Sequence, residues 1–132
     1  MVKLGAAVCL KFNLNKIQYA SIGTYWPCPN NEAGSFQAHI EAAYSGLSAI
    51  TLIKSGIEMA IDAAISAGRT VVVGGDFNSN LAHGDQFDLG EWAIGCGLVN
   101  ASEGTDALLP SFRRGGGAVS QTRIDHVYVA SG

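Results

Sequence analysis

Charged residues are scarce in this sequence. They make up 14% of it, against 48% hydrophobic residues, a balance that argues against a disordered, self-repelling chain and leaves ample material for a core. Cysteines are few, odd in number and widely spaced, at Cys9, Cys28 and Cys96. With no CxxC pair they speak against a disulfide framework or a thiolate zinc site, and predict buried, reduced thiols in an intracellular setting. Long hydrophobic runs are missing too. The apolar stretch from Leu4 to Leu10 stops at Lys11, so neither a signal peptide nor a membrane span is expected. Positive charge is short overall, with a net charge of -3, which argues against a generally basic coat for nucleic acid. The exception is local: Arg113, Arg114 and Arg123 gather near the C-terminus.

What is present reads as one unit spanning residues 1–132, the size of an ordinary domain, with no internal repeat or low-complexity tract to divide it. Leu4 to Phe12 and Ile17 to Tyr25 predict two strands in a hairpin joined by Asn13-Leu14-Asn15-Lys16. The second strand runs into Trp26-Pro27-Cys28-Pro29, where the prolines remove backbone donors and forbid central-strand pairing. From Ser35 to Ala67 the apolar residues Leu47, Ile50, Ile53, Ile57, Ile61 and Ala64 or Ile65 recur at helical spacing and predict a core-facing stripe. Glycine in a helix interior costs about 1 kcal/mol against alanine, so Gly46 and Gly56 weaken this run and a break is expected near Tyr44-Ser45-Gly46. Gly68 is the expected C-terminal cap.

Val71-Val72-Val73 then reads as a strand covered on both faces. Asp88 and Glu91 resemble a capping box opening a short helix that Gly97 closes. Leu98 to Ala101 and Ser111 to Arg114 predict brief strands, Gly115-Gly116-Gly117 a turn, and Thr122 to Ala130 a final β-rich run.

The most pointed stretch is Val71 to Asn78, a buried-strand pattern that ends in two glycines, a carboxylate and an amide. Asp76, Asn78, Tyr25 and Asp125 each lie at or beside a strand end flanked by loop formers. Such a set suits phosphoryl chemistry: a carboxylate to orient or deprotonate water, an amide and a phenol to contact phosphoryl oxygens, and an oxygen-loving ion such as Mg²⁺ to complete the site. Plainer roles stand beside these. Asp-x-Asn after a strand also makes an ordinary turn, Tyr25 can simply pack, and Asp125 can pair with Arg123. His39 and His83 read as exposed or capping residues, Trp26 and Trp92 as core or rim aromatics. Arg113 and Arg114 suit either solvated charge or phosphate contact beside the glycine turn.

Gly75-Asp76-Phe77-Asn78 resembles the GDFN motif of the endonuclease/exonuclease/phosphatase (DNase I-like) superfamily of metal-dependent phosphoesterases. Upstream, Ile22-Gly23-Thr24-Tyr25-Trp26-Pro27 looks like that family's strand and Tyr-x-Pro element. Downstream, Ser111-Phe112-Arg113-Arg114 and Arg123-Ile124-Asp125-His126 look like its later pair of strands. The resemblance implies that Asp76 positions the attacking water and Asn78 contacts the scissile phosphate, both helping to hold Mg²⁺ or Mn²⁺. Tyr25 would reach the phosphate, with Arg113, Arg114 and Arg123 as further substrate contacts. Asp125 matches the aspartate that orients a catalytic histidine. His126 is not that histidine, because neighbours on a strand point to opposite faces.

The family's Ser-Asp-His motif and its early metal-binding strands have no counterpart in the sequence, so the resemblance covers the middle-to-late half of a domain. The implied fold is an α/β sandwich: a mixed, mostly antiparallel sheet with helices on one face, and with sheet edges and apolar surface left open where the other half would sit. The implied function is metal-dependent phosphodiester hydrolysis on nucleic acid, DNA favoured, by a fragment that is inactive alone. The Tyr-Trp-Pro loop and Phe-Arg-Arg-Gly stretch lean towards retroelement endonucleases. Two alternatives remain open: a phosphomonoesterase acting on inositol or lipid phosphates, and a phosphate-binding module without catalysis.

Overall fold

A computed structural model describes residues 6–27, 34–44, 47–79, 87–101, 112–114, 120–122 and 125–130, with the backbone alone for 112–114 and 120–122. The hairpin at the start is tighter than the sequence predicts. Strands β1 (Ala7–Leu14) and β2 (Ile17–Tyr25) pair antiparallel from Ala7 opposite Thr24 to Leu14 opposite Ile17. Only Asn15 and Lys16 remain for the turn, both at positive φ (49° and 66°), the backbone that a two-residue connection of type I′ requires.

Helix α1 (Phe36–Ala43) opens on Ser35, whose side chain accepts from the Ala38 N–H at 3.1 Å. The expected break follows, and α2 (Ala49–Ser66) begins after Ser48. Glu41 of α1 reaches across to accept from the first N–H of α2, at Ala49 (3.3 Å). Ile53, Ile57, Ile61 and Ala64 are buried as predicted. Leu47 is not part of that stripe: it precedes the helix and is exposed. The helix closes as a Schellman motif, with Gly68 at φ 75°, its N–H on Ile65 O and the Arg69 N–H on Ala64 O, both at 2.9 Å.

Strand β3 (Thr70–Asp76) lies parallel to β2, and β7 (Asp125–Ala130) lies antiparallel to β3 on its other side. The short α3 (Leu89–Gly95) leads to β4 (Val99–Asn100), which pairs antiparallel with β7. The result is an α/β fold around a mixed, mostly antiparallel sheet in the order β1-β2-β3-β7-β4. Strands β5 (Phe112–Arg114) and β6 (Ser120–Thr122) form a separate antiparallel pair, so Thr122 of the C-terminal β-rich run ends β6 and residues Asp125–Ala130 form β7. The Gly115-Gly116-Gly117 turn lies outside the described residues.

Two local expectations fail. Asp88 is left-handed (φ 51°, ψ 40°) and makes no side-chain cap bond; a capping box needs an extended residue there, so the spacing to Glu91 has no structural consequence. Cys9 is exposed on β1, an edge strand whose residues are all exposed, and Cys96 is half-buried where α3 ends. Cys28 lies outside the described residues.

The core occupies one face of the sheet. Ala20, Ile22, Val71, Val73, Tyr128 and Ala130 pack with the buried stripe of α2 and with Ile40 of α1. On the other face the strands present Val8, Leu10, Phe12 and Leu14 of β1, Ile17 of β2, Val127 of β7 and Val99 of β4, all exposed, from 38% at Phe12 to 69% at Val8. Val72 on that side is half-buried between buried Val71 and Val73. The valine run is therefore covered on one face only, and the other face of the sheet exposes apolar side chains.

Candidate active site

Strand register brings three predicted residues into one row. Tyr25 ends β2 opposite Asp76, which ends β3. Asp76 in turn stands opposite Asp125, the first residue of β7. Partners in register share a sheet face, so Tyr25 and the two carboxylates stand side by side in one row at the strand ends. Tyr25 is 44% exposed and leans on Phe36, with ring centroids 5.7 Å apart; Asp125 is exposed and Asp76 half-buried.

The backbone around Asp76 has no slack. Gly75 sits at φ 146°, and a Cβ built on it would lie 1.9 Å from the Thr24 carbonyl oxygen, so no side chain can stand there. Beyond the strand, Asp76 Oδ1 accepts from the Asn78 N–H at 2.9 Å, closing a small turn with Asn78 at φ 47°. The ordinary turn role weighed for Asp-x-Asn is thus real, and it holds the carboxylate in place. The Asn78 amide is engaged as well: Nδ2 donates to the Trp26 carbonyl at 2.5 Å. A carbonyl can only accept, so the NH₂ must face Trp26. Asn78 thereby ties the loop after β3 to the loop after β2, a task the sequence did not reveal.

Behind this row lies an aromatic cluster in which Trp26 and Phe77 are fully buried and Phe87 and Trp92 partly so. Trp26 is fully buried, with edge-on contacts to Phe77 (4.9 Å), Trp92 (5.2 Å) and Phe87 (5.9 Å) and with the Lys54 ammonium 5.5 Å above it. Trp92 donates from Nε1 to Glu58 of α2 at 2.8 Å. Trp26 is therefore a core residue, and stacking on a nucleobase is closed to it.

Electrostatically, Asp76 is the perturbed member. Burial pushes its carboxyl above the usual range, the Asn78 N–H opposes this, the Asp125 carboxylate raises it further, and His126 works against that rise. His126 itself is buried on the core side of β7 while Asp125 is exposed on the other, the opposite-face arrangement expected of strand neighbours.

Two adjacent carboxylates of which one is partly desolvated suit an oxygen-preferring divalent cation, which would neutralise their mutual repulsion. Mg²⁺ commonly takes one or two protein carboxylates with water and substrate phosphate completing its shell, so Asp76 and Asp125 fit such an ion as a partial ligand set. Among the described residues no group of three or more His, Cys, Asp or Glu side chains converges. Arg113 and Arg114 are seen as backbone in β5, and Arg123 and His83 lie outside the described residues, so their predicted contacts with substrate have no geometry here. His39 is exposed, as expected. No helix among the described residues is long and apolar enough to cross a membrane. The chain matches no protein-family model and no curated protein sequence.

Proposed function

We propose that this chain contributes to metal-dependent hydrolysis of phosphodiesters in nucleic acid, as a portion of a longer enzyme. The observation that carries this reading is the row Tyr25, Asp76, Asp125 at the ends of three adjacent strands, with the Asp76 carboxylate held by the Asn78 N–H. These are the residues that the DNase I-like resemblance singled out, and they meet although about fifty residues separate each from the next along the chain.

A bound Mg²⁺ or Mn²⁺ would supply charge neutralisation at the phosphate. Asp76, with its raised proton affinity, is suited to accept a proton from an attacking water. Tyr25 presents an exposed phenol beside it, able to donate to a phosphoryl oxygen. Asn78 holds the Asp76 turn against the Trp26 carbonyl and keeps that carboxylate aimed at one place. Asp125 supplies the second negative charge and, in the family pattern, orients a histidine. The open apolar face of the sheet, with Val8 and Leu10 both more than half exposed, is what favours a longer enzyme over an independent one.

The test uses two preparations. The 132-residue chain titrated with Mn²⁺ should show paramagnetic broadening centred on Asp76 and Asp125, yet negligible nicking of supercoiled plasmid. The product of the surrounding reading frame should nick plasmid with Mg²⁺ and release little phosphate from inositol phosphates. Phosphate release without nicking would turn the reading to a phosphomonoesterase; Mn²⁺ broadening elsewhere on the chain would overturn the site.

A further inference from the structure

The residue that the site described so far does not use is His126. Its ring is buried at 2% exposure, on the core side of the strand whose neighbouring Asp125 faces the site. Nε2 lies 2.7 Å from the carbonyl oxygen of Ser79. Because that oxygen has no proton to give, Nε2 carries the hydrogen and donates it. Nδ1 is then the bare acceptor nitrogen, and it is buried with no partner among the described residues. Leaving a buried polar atom unpaired is costly, so packing alone gives no reason for an imidazole here; an apolar ring or branched chain would fill the space without that cost.

The contact with Ser79 supplies the reason. Ser79 is fully buried and follows directly on the turn that carries Asp76 and Asn78. That turn contains Asn78 at φ 47°, a left-handed conformation that a residue other than glycine adopts only when its surroundings impose it. Two ties impose it from within and from β2: the Asn78 N–H on Asp76 Oδ1 and the Asn78 amide on the Trp26 carbonyl. The bond from His126 is a third, and it comes from β7. The Phe77 ring fills the space between, 6.0 Å from the imidazole.

We propose that His126 is a positioning residue for the candidate site: through its Nε2–H bond to Ser79 it holds the Asp76–Asn78 turn in register with Asp125 on the same strand. Two consecutive residues of β7 thus serve one site from opposite faces, Asp125 as a group within it and His126 as the anchor of the turn opposite. The word positioning rests on the function proposed above; the anchor itself does not.

The chain as it stands can test this. In long-range ¹H–¹⁵N spectra of the wild-type protein, Nε2 of His126 should resonate as a protonated ring nitrogen and Nδ1 as a bare one; the reverse pattern would overturn the proposal without any variant. His126→Leu should accelerate exchange of the Asn78 amide about tenfold more than that of Val72 at the centre of β3, consistent with loss of one buried hydrogen bond. His126→Gln, whose amide nitrogen reaches where Nε2 does, should restore it. Equal acceleration at both amides, or no rescue by glutamine, means a residue that merely packs and overturns the anchor. Mn²⁺ broadening at Asp76 should weaken in His126→Leu and return in His126→Gln. If the wild type binds no Mn²⁺ while the exchange pattern holds, the functional reading falls and the anchor stands; if Mn²⁺ binding and Asn78 exchange are unchanged in His126→Leu, the anchor falls and the functional reading stands.

Discussion

Asp76 and Asp125 stand opposite one another across the β3–β7 pair, so two carboxylates nearly fifty positions apart in the chain share one sheet face at the end of neighbouring strands. Like charges directly opposite are destabilising in a sheet. The Asp125 carboxylate accordingly raises the proton affinity of Asp76, adding to the larger effect of burial.

That relationship sets a pH dependence. The folded-state carboxyl of Asp76 has its proton affinity raised, chiefly by burial. Its contribution to stability is therefore complete below the ordinary carboxylate range and is lost as pH rises through the folded-state value. Asp76→Asn, which keeps an oxygen acceptor for the Asn78 N–H, should raise Tm near pH 7 by about 1–3 °C, a small gain because solvent screens a group this exposed. The gain should disappear below about pH 3, where Asp76 is protonated in both states. Thermal melts across about pH 3–8, which brackets a carboxyl titration, check it; a lower Tm at neutral pH contradicts the sign.

The same substitution, and Asn78→Ala, should cut turnover of the complete enzyme by at least about a hundredfold, as loss of a general base or of its fixed orientation does. Near-normal plasmid nicking by either variant removes that residue from the proposed mechanism.

Gly75 gives the sharpest structural prediction. With φ at 146° and the Thr24 carbonyl oxygen 1.9 Å from where a Cβ would stand, Gly75→Ala must push β2 and β3 apart at the row of site residues. A loss of at least about 3 kcal/mol is expected, measured by urea denaturation. Gly56, whose Cβ would meet nothing within 4 Å, is the control: Gly56→Ala in α2 should stabilise by about 0.5–1 kcal/mol.

Lys16 offers a gain in stability. It follows Asn15 in the two-residue turn at φ 66°, and Asn-Gly is the pair that this turn prefers. Lys16→Gly should add about 0.5–1 kcal/mol by relieving a left-handed lysine, read from the denaturation midpoint.

The uncovered apolar face should be visible in solution. An environment-sensitive hydrophobic dye should bind the folded chain, and Leu10→Lys with Val127→Lys should remove most of that signal. Both side chains are exposed, so the cost in stability should stay within about 0.5 kcal/mol each. An unchanged dye signal would mean that the dye reads some other surface.

Local chemistry was legible wherever neighbours in sequence decide the outcome. The α2 stripe from Ile53 to Ala64, the break after Ala43, the Gly68 cap and the hairpin ending at Tyr25 follow from periodicity and backbone freedom, which act over four residues or fewer. Alternation along β7 likewise predicted that Asp125 and His126 part company. Errors came where a local pattern had no tertiary support: Asp88 had the spacing of a capping box but not the backbone for it, and Cys9 had the composition of a core residue but sits exposed on the edge strand of the sheet.

Tertiary structure alone decided the rest. That Tyr25, Asp76 and Asp125 form a row depends on a parallel pairing of β2 with β3 and an antiparallel one of β3 with β7. That Asn78 holds Trp26 and His126 holds Ser79 depends on which loops the register brings within hydrogen-bond reach, distances that spacing along a chain does not encode. The residue types of the site were written in the sequence; their meeting is a property of strand order.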